Sequence, residues 1–162
     1  MNKIFIVFII GILASCSGRA QTTSKKEKTY KVVKTENEWK KELTKMQYYV
    51  LREAGTERPF TSSLNKNYKA GTYVCAACKT ALYNSDHKFD SGTGWPSFDR
   101  AVEGNVELDV DYKIGYARTE LKCNTCGSHL GHSFDDGPKT TGKRHCINGV
   151  ALEFIPIEKS KN

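Results

Sequence analysis

Two hydrophobic periods divide the chain beyond residue 34. Trp39, Leu43, Met46 and Val50 fall at i, i+4, i+7 and i+11, one stripe of an α-helix. Thr35-Glu36-Asn37-Glu38 just before them fits a capping box, in which a Thr hydroxyl and a Glu carboxylate each take up a free N–H of the first turn. The pattern predicts one helix over 36–53, ended by Gly55 and Pro59. Further on the period becomes two. Val106, Leu108, Val110, Tyr112 and Ile114 alternate with Glu107, Asp109, Asp111 and Lys113, which predicts a half-buried strand with its apolar side on the core. Residues 115–121 either continue that strand or form its partner. Residues 144–155, rich in Val, Ile, Leu and Phe, predict another strand. Glycines at 92, 94, 127, 131, 137 and 142 punctuate the loops, and the only internal repeat is a pair of short C-x-x-C units.

The amino-terminal pattern is of another kind. Residues 4–14 are apolar except for Gly11, and Lys3 precedes them. Eleven residues are too few for a bilayer span, which needs about 20, but suit the apolar region of a signal peptide. Leu13-Ala14-Ser15-Cys16 follows and resembles a bacterial lipobox, whose Cys becomes the lipidated first residue. Ordinary cleavage near Ala20 is the alternative; no typical A-x-A site stands out. The expected organisation is a lipoprotein signal peptide over 1–15, a lipidation site at Cys16, a flexible polar and basic tether over 16–31, and a folded domain over 32–162. The protein is then exported and lipid-anchored in a bacterial cell envelope, on the periplasmic or surface face.

Composition changes this picture little. A length of 162 residues suits one domain, and 38% hydrophobic with 27% charged residues is ordinary globular content. The formal charge of +7 raises the question of a nucleic-acid partner. Its distribution answers against one. Arg19, Lys25, Lys26, Lys28 and Lys31, against Glu27, place +4 in the tether. Residues 32–162 carry 19 basic and 17 acidic side chains, a charge of only +2.

The six cysteines partition more informatively. With Cys16 set aside, Cys75/Cys78 and Cys123/Cys126 form the two C-x-x-C units, and Cys146 stands alone. A two-residue spacer lets a tight turn aim both sulfurs at one ion, and two such knuckles supply a tetrahedral zinc site. The 44 residues between the pairs exceed the spacing of a short zinc ribbon. A thioredoxin-like C-x-x-C and a pair of disulfides are the rivals. The first wants a βαβ context that neither pair has; the second fits an exported protein. Cys146 is either a buried structural thiol or a nucleophile. Lys143, Arg144 and His145 precede it, and such positive charge would lower its pKa and raise its thiolate fraction. His129 and His132, on a Gly-rich stretch, are either structural or an acid/base pair for that thiol. Asn148-Gly149 could be a hairpin turn, and Trp95, within Gly-Thr-Gly-Trp-Pro, either fills the core or meets a ligand.

Taken together, three stretches resemble the methionine-R-sulfoxide reductase (MsrB) family: Ser-Gly-Thr-Gly-Trp-Pro-Ser-Phe over 91–98, Cys-Asn-Thr-Cys-Gly-Ser-His-Leu-Gly-His-Ser-Phe-Asp-Asp-Gly-Pro over 123–138, and Arg-His-Cys-Ile-Asn over 144–148. The resemblance spans about residues 37–156. It implies a mainly β fold of two antiparallel sheets (a β-tent) with short N-terminal helices, and a structural Zn²⁺ held by Cys75, Cys78, Cys123 and Cys126. It implies Cys146 as the nucleophile and His129, His132 and Asn148 as the groups that bind and polarise the sulfoxide oxygen. Trp95 matches the aromatic that receives the substrate methyl. Phe134, Asp136 and Arg144 match substrate-binding and supporting positions.

The implied activity is reduction of methionine-(R)-sulfoxide, free or in proteins, through a Cys146 sulfenic acid. The implied role is repair of oxidised envelope proteins, by a monomer with no nucleic-acid partner. This chain departs from the family at Thr93, where many members carry a resolving Cys. An external thiol, such as a thioredoxin-like protein, is therefore expected to reduce the sulfenic acid directly.

Overall fold

The computed structural model describes residues 28–158. The signal-peptide segment, Cys16 and the tether as far as residue 27 lie outside the described residues. Two short helices come first, α1 (Glu36–Glu42) and α2 (Lys45–Glu53). The single helix expected over 36–53 is thus two. Leu43 leaves the helical region with φ −98° and ψ 144°, and Thr44 starts a second capping box with Gln47. Two well-capped short helices replace one long one because Thr44 offers the backbone a new start. The stripe changes accordingly: Trp39, Leu43 and Val50 are buried, Met46 is exposed, and Leu51 takes its place inside.

The rest is β. Strands β1 (Gly71–Cys75), β2 (Ala81–Asn84) and β9 (Leu152–Pro156) form a three-stranded sheet in the order β2-β1-β9. Strands β3 (Lys88–Phe89), β4 (Ser97–Phe98), β5 (Val106–Asp111), β6 (Arg118–Cys123), β7 (His129–Phe134) and β8 (Arg144–Ile147) form a six-stranded sheet in the order β3-β4-β8-β7-β6-β5. All pairs are antiparallel. Phe98 of the larger sheet stacks on Tyr83 at 4.3 Å and meets Tyr73 edge-on at 5.0 Å, so aromatic packing joins the two sheets. Trp39, Val50 and Leu51 from the helices, with Leu121, Leu130, Ile147 and Leu152, complete the core.

Two further expectations change. The strand foreseen over 144–155 is interrupted by a 3-10 turn at Gly149–Ala151, so β8 and β9 lie in different sheets and Asn148-Gly149 is no hairpin turn. The strand from Val106 exists and pairs with β6, but its apolar side is not the buried one. Leu108 and Val110 are more than half exposed, while Glu107, Asp109 and Asp111 are partly buried. The charged face of β6 decides this: Lys122 bonds Glu107 and Asp109, and Arg118 bonds Asp111.

Candidate active site and metal centre

The two C-x-x-C units meet. Cys75 ends β1 and Cys123 ends β6, and each opens a tight turn closed by a backbone bond, Lys79 N–H to Cys75 O and Gly127 N–H to Cys123 O, both 2.8 Å. The left-handed residue each turn needs is Lys79 in one and Gly127 in the other. All four sulfurs lie within 4.8 Å of one another, with Cys75–Cys126 at 3.8 Å and Cys78–Cys123 at 3.6 Å. A tetrahedron with Zn–S bonds of about 2.3 Å has S–S edges of about 3.8 Å, so the donor set fits such an ion. None of these cysteines is in a disulfide.

The second constellation is a pocket of about 140 Å³ on the six-stranded sheet, lined by Trp95, Arg118, His132, Phe134, Cys146 and Asn148, with Thr56 and Gly131. Register explains the meeting. Cys146 of β8 pairs with His132 of β7, and His132 pairs with Glu120 of β6, so their side chains share one face. Gly131, beside them, has no room for a Cβ, which would lie 2.0 Å from the Cys146 carbonyl oxygen. The next residues on that face, Phe134 and Arg144, also pair, and the Arg144 guanidinium lies 4.5 Å from the Phe134 ring centroid. Asp136 holds Arg144 with two bonds of 2.8 and 2.9 Å.

Cys146 is half-buried. Burial pushes its thiol pKa up, and the Arg144 charge and a hydrogen bond with Thr93 pull against that without reversing it. The sequence had suggested a lowered pKa from three basic neighbours. Only Arg144 serves: Lys143 pairs with Asp135 in solvent, and His145 turns to the opposite face, toward Tyr83. Thr93 Oγ1 stands 4.0 Å from Cys146 Sγ, so position 93 is indeed against the nucleophile candidate.

The histidines differ. His132 lines the pocket, with Nε2 2.8 Å from Asp111 Oδ2. Burial lowers the His132 pKa, and Asp111 partly offsets this. Burial raises the Asp111 carboxyl, but the Lys113 N–H, His132 and Arg118 outweigh it and hold it at about 2. Asp111 is therefore an acceptor only, and His132 Nε2 carries the hydrogen. His129 lies behind, its ring centroid 5.2 Å from that of His132 and its Nδ1 2.6 Å from Glu120 Oε1. Its buried Nε2 has no hydrogen-bond partner among the described residues.

Four residues with contacts at the site escaped the sequence reading. Arg118 and Glu120 belong to a pattern in which charges at 118, 120 and 122 alternate with Thr119, Leu121 and Cys123 and give β6 a charged face, and Asp111 lies opposite Arg118 on β5. Glu57 is the fourth. Its N–H donates to Asn148 Oδ1 at 3.0 Å, its carbonyl accepts from Trp95 Nε1 at 3.1 Å, and its buried carboxylate accepts from the Gly149 and Val150 N–H groups. One residue in a loop thus fixes both flanks of the pocket.

Comparison with known proteins agrees with this geometry. Residues 43–156 match the SelR domain family. A peptide methionine sulfoxide reductase MsrB of Leptospira interrogans is 53% identical over 77% of this chain and 96% of its own length. One from Methanosarcina barkeri is 53% identical over 80% of this chain and 92% of its own. Peptide methionine sulfoxide reductase B1, chloroplastic, of Arabidopsis thaliana is 44% identical over 92% of this chain and 74% of its own. A matched family model over most of the folded part, and relatives at this level of identity, place the chain in the methionine-R-sulfoxide reductase family, MsrB.

Proposed function

We propose that this chain, by family a peptide-methionine (R)-S-oxide reductase, works through Cys146 as nucleophile and a sulfenic acid intermediate. The observation that carries the reading is the shared face of β7 and β8. It sets the Cys146 sulfur in one pocket with Trp95, His132 and Asn148.

The Cys146 thiolate attacks the sulfoxide sulfur. The sulfoxide oxygen passes to Cys146 with one proton, giving the sulfenic acid and releasing the thioether. The substrate sulfur gains two electrons and the Cys146 sulfur loses them. His132, with Nε2 engaged by Asp111, has Nδ1 left to move the proton. His129 keeps its unpartnered Nε2 behind the His132 ring, outside the pocket lining, where a water would link it to that oxygen. Arg144, held by Asp136, favours the thiolate. Trp95 takes the methyl group on one side and the polar groups take the oxygen on the other, which selects the R epimer.

Thr93 cannot form a disulfide, so two external thiols, supplied by a thioredoxin-like protein, return Cys146 to the thiol and leave as a disulfide with one water. Cys75, Cys78, Cys123 and Cys126 would hold Zn²⁺ and so tie the end of β1 to the end of β6. Cys16 carries the lipid, and the substrate is oxidised methionine in envelope proteins. A dimedone adduct confined to Cys146 after one turnover without reductant is the expected result. An intrachain disulfide from Cys146 in the same sample overturns direct external reduction.

A further inference from the structure

The β5–β6 hairpin leaves five large apolar side chains in solvent. Leu108, Val110, Tyr112, Ile114 and Tyr116 alternate along β5 and the turn after it, and each is 50–68% exposed. Their neighbours Glu107, Asp109 and Asp111 face the other way and pair with Lys122, Arg118 and His132. β5 is the edge strand of its sheet, and the exposure of these five side chains shows that no element among the described residues covers this face. Such a concentration exceeds the isolated surface hydrophobes of ordinary proteins. Two of the five are tyrosines, whose ring and hydroxyl suit a boundary between water and lipid.

The chain enters the fold beside this hairpin. Lys28 bonds Glu107 and Asn124, the Tyr30 hydroxyl donates to Glu107 at 2.5 Å, and the Val32 N–H donates to Thr125 O at 3.0 Å. Glu107 and Lys122 stand at the hairpin's root, and its turn lies about 20 Å away at about 3.3 Å per residue. Cys16 precedes Lys28 by twelve positions, a stretch of at most about 40 Å when extended. A lipid on Cys16 therefore leaves the hairpin turn within reach of the bilayer. Lys28 is paired with Glu107, so Arg19, Lys25 and Lys26 against Glu27 carry the positive charge of that stretch, and they favour an anionic surface together with Lys113 at the turn, whose ammonium bonds the Glu53 and Ala54 carbonyls.

We propose that the β5–β6 turn, through Tyr112, Ile114 and Tyr116 with Leu108 and Val110 behind them, is a second contact with an anionic bilayer surface. The inference rests on the reading of Cys16 as a lipid anchor. Its consequence is orientation: Arg118, on the returning strand, lines the pocket, so the contact sets the pocket at a fixed height beside the membrane.

The test uses the full mature protein on vesicles of phosphatidylcholine with phosphatidylglycerol, its Cys16 lipid checked by intact mass. Amide hydrogen exchange is compared with that of the Tyr112→Ser, Ile114→Ser, Tyr116→Ser triple variant on the same vesicles. The expected result is exchange over 108–117 slower by about tenfold in the wild type, growing with phosphatidylglycerol content, while both proteins turn over free methionine-(R)-sulfoxide alike. Equal exchange in the two lipidated proteins overturns the proposal. So does protection that follows protein density, which marks a second copy, or that needs an added oxidised unfolded polypeptide, which marks substrate docking. A mass without lipid defeats the anchor reading alone. The hairpin is then judged by whether the unmodified protein co-sediments with these vesicles about tenfold more than the triple variant.

Discussion

Two groups of cysteines sit in this small domain and face opposite fates. At the knuckles, four sulfurs converge from two tight turns, and three of the four cysteines are buried. At the pocket, one sulfur stands half-buried on a strand, with a guanidinium, a hydroxyl and a histidine around it. The first arrangement is closed: its four donors match one tetrahedral ion, which would have no position left for a substrate. The second is open: Cys146 faces space that no side chain fills. Residue type does not decide which cysteine suits a metal and which suits a nucleophile. Local backbone geometry does, through two turns that gather sulfurs and one strand pairing that isolates a sulfur.

The comparison breaks most severely at the closed site. Cys126→Ser removes one donor, and structural zinc sites of this kind contribute about 10–16 kcal/mol of binding energy to folding. The variant is expected to lose its metal and its cooperative thermal transition together, as read by metal analysis and calorimetry. The wild type should do the same with a strong chelator. A variant that melts normally without metal would show the knuckles to be ornamental.

At the open site the next largest effect belongs to Glu57. Glu57→Ala orphans the Gly149 and Val150 N–H groups, at roughly 2–3 kcal/mol in thermal stability. The bonds to Trp95 and Asn148 come from the Glu57 main chain and remain, but the loop that carries them loses its carboxylate anchor, and activity should fall by about tenfold. Steady-state kinetics with circular-dichroism melts read both. A loss of stability with full activity would make Glu57 purely structural.

Arg144→Ala tests the charge on the thiol. Burial raises the Cys146 pKa and Arg144 opposes this, so the wild-type thiol is mostly protonated at neutral pH and alkylates faster as pH rises. Without Arg144 the alkylation profile should move to still higher pH, while the metal content stays unchanged. A profile that stays in place would show that Arg144 acts only on substrate. The smallest effect is at Thr44, where Thr44→Ala removes a helix cap worth about 1 kcal/mol and should leave turnover unchanged.

The sequence was legible where a local rule has no competitor. The capping box at Thr35, the metal-ligand spacing and the alternation of β5 each announce themselves within a few residues. It misled where two rules compete. Residues 36–53 carry one helical stripe, but Thr44 and Gln47 carry a second capping box, and the cap won. The apolar side of β5 satisfied the rule for a buried face, yet the paired charges of β6 claimed the other side. The histidines and Cys146 were identifiable through their resemblance to a family. The partners of the site residues were not, because Glu120 and Asp111 reach the histidines through strand register, and Glu57 reaches Asn148 and Trp95 from a loop, contacts that no short motif encodes.

Whether Cys146 is the reacting sulfur is decided by an assay on separated R and S epimers of methionine sulfoxide with the wild type and Cys146→Ser. The wild type should turn over the R epimer alone, and the variant should lose about a thousandfold or more while its metal content and melt stay those of the wild type. Equal turnover of both epimers, or an active Cys146→Ser, would contradict this.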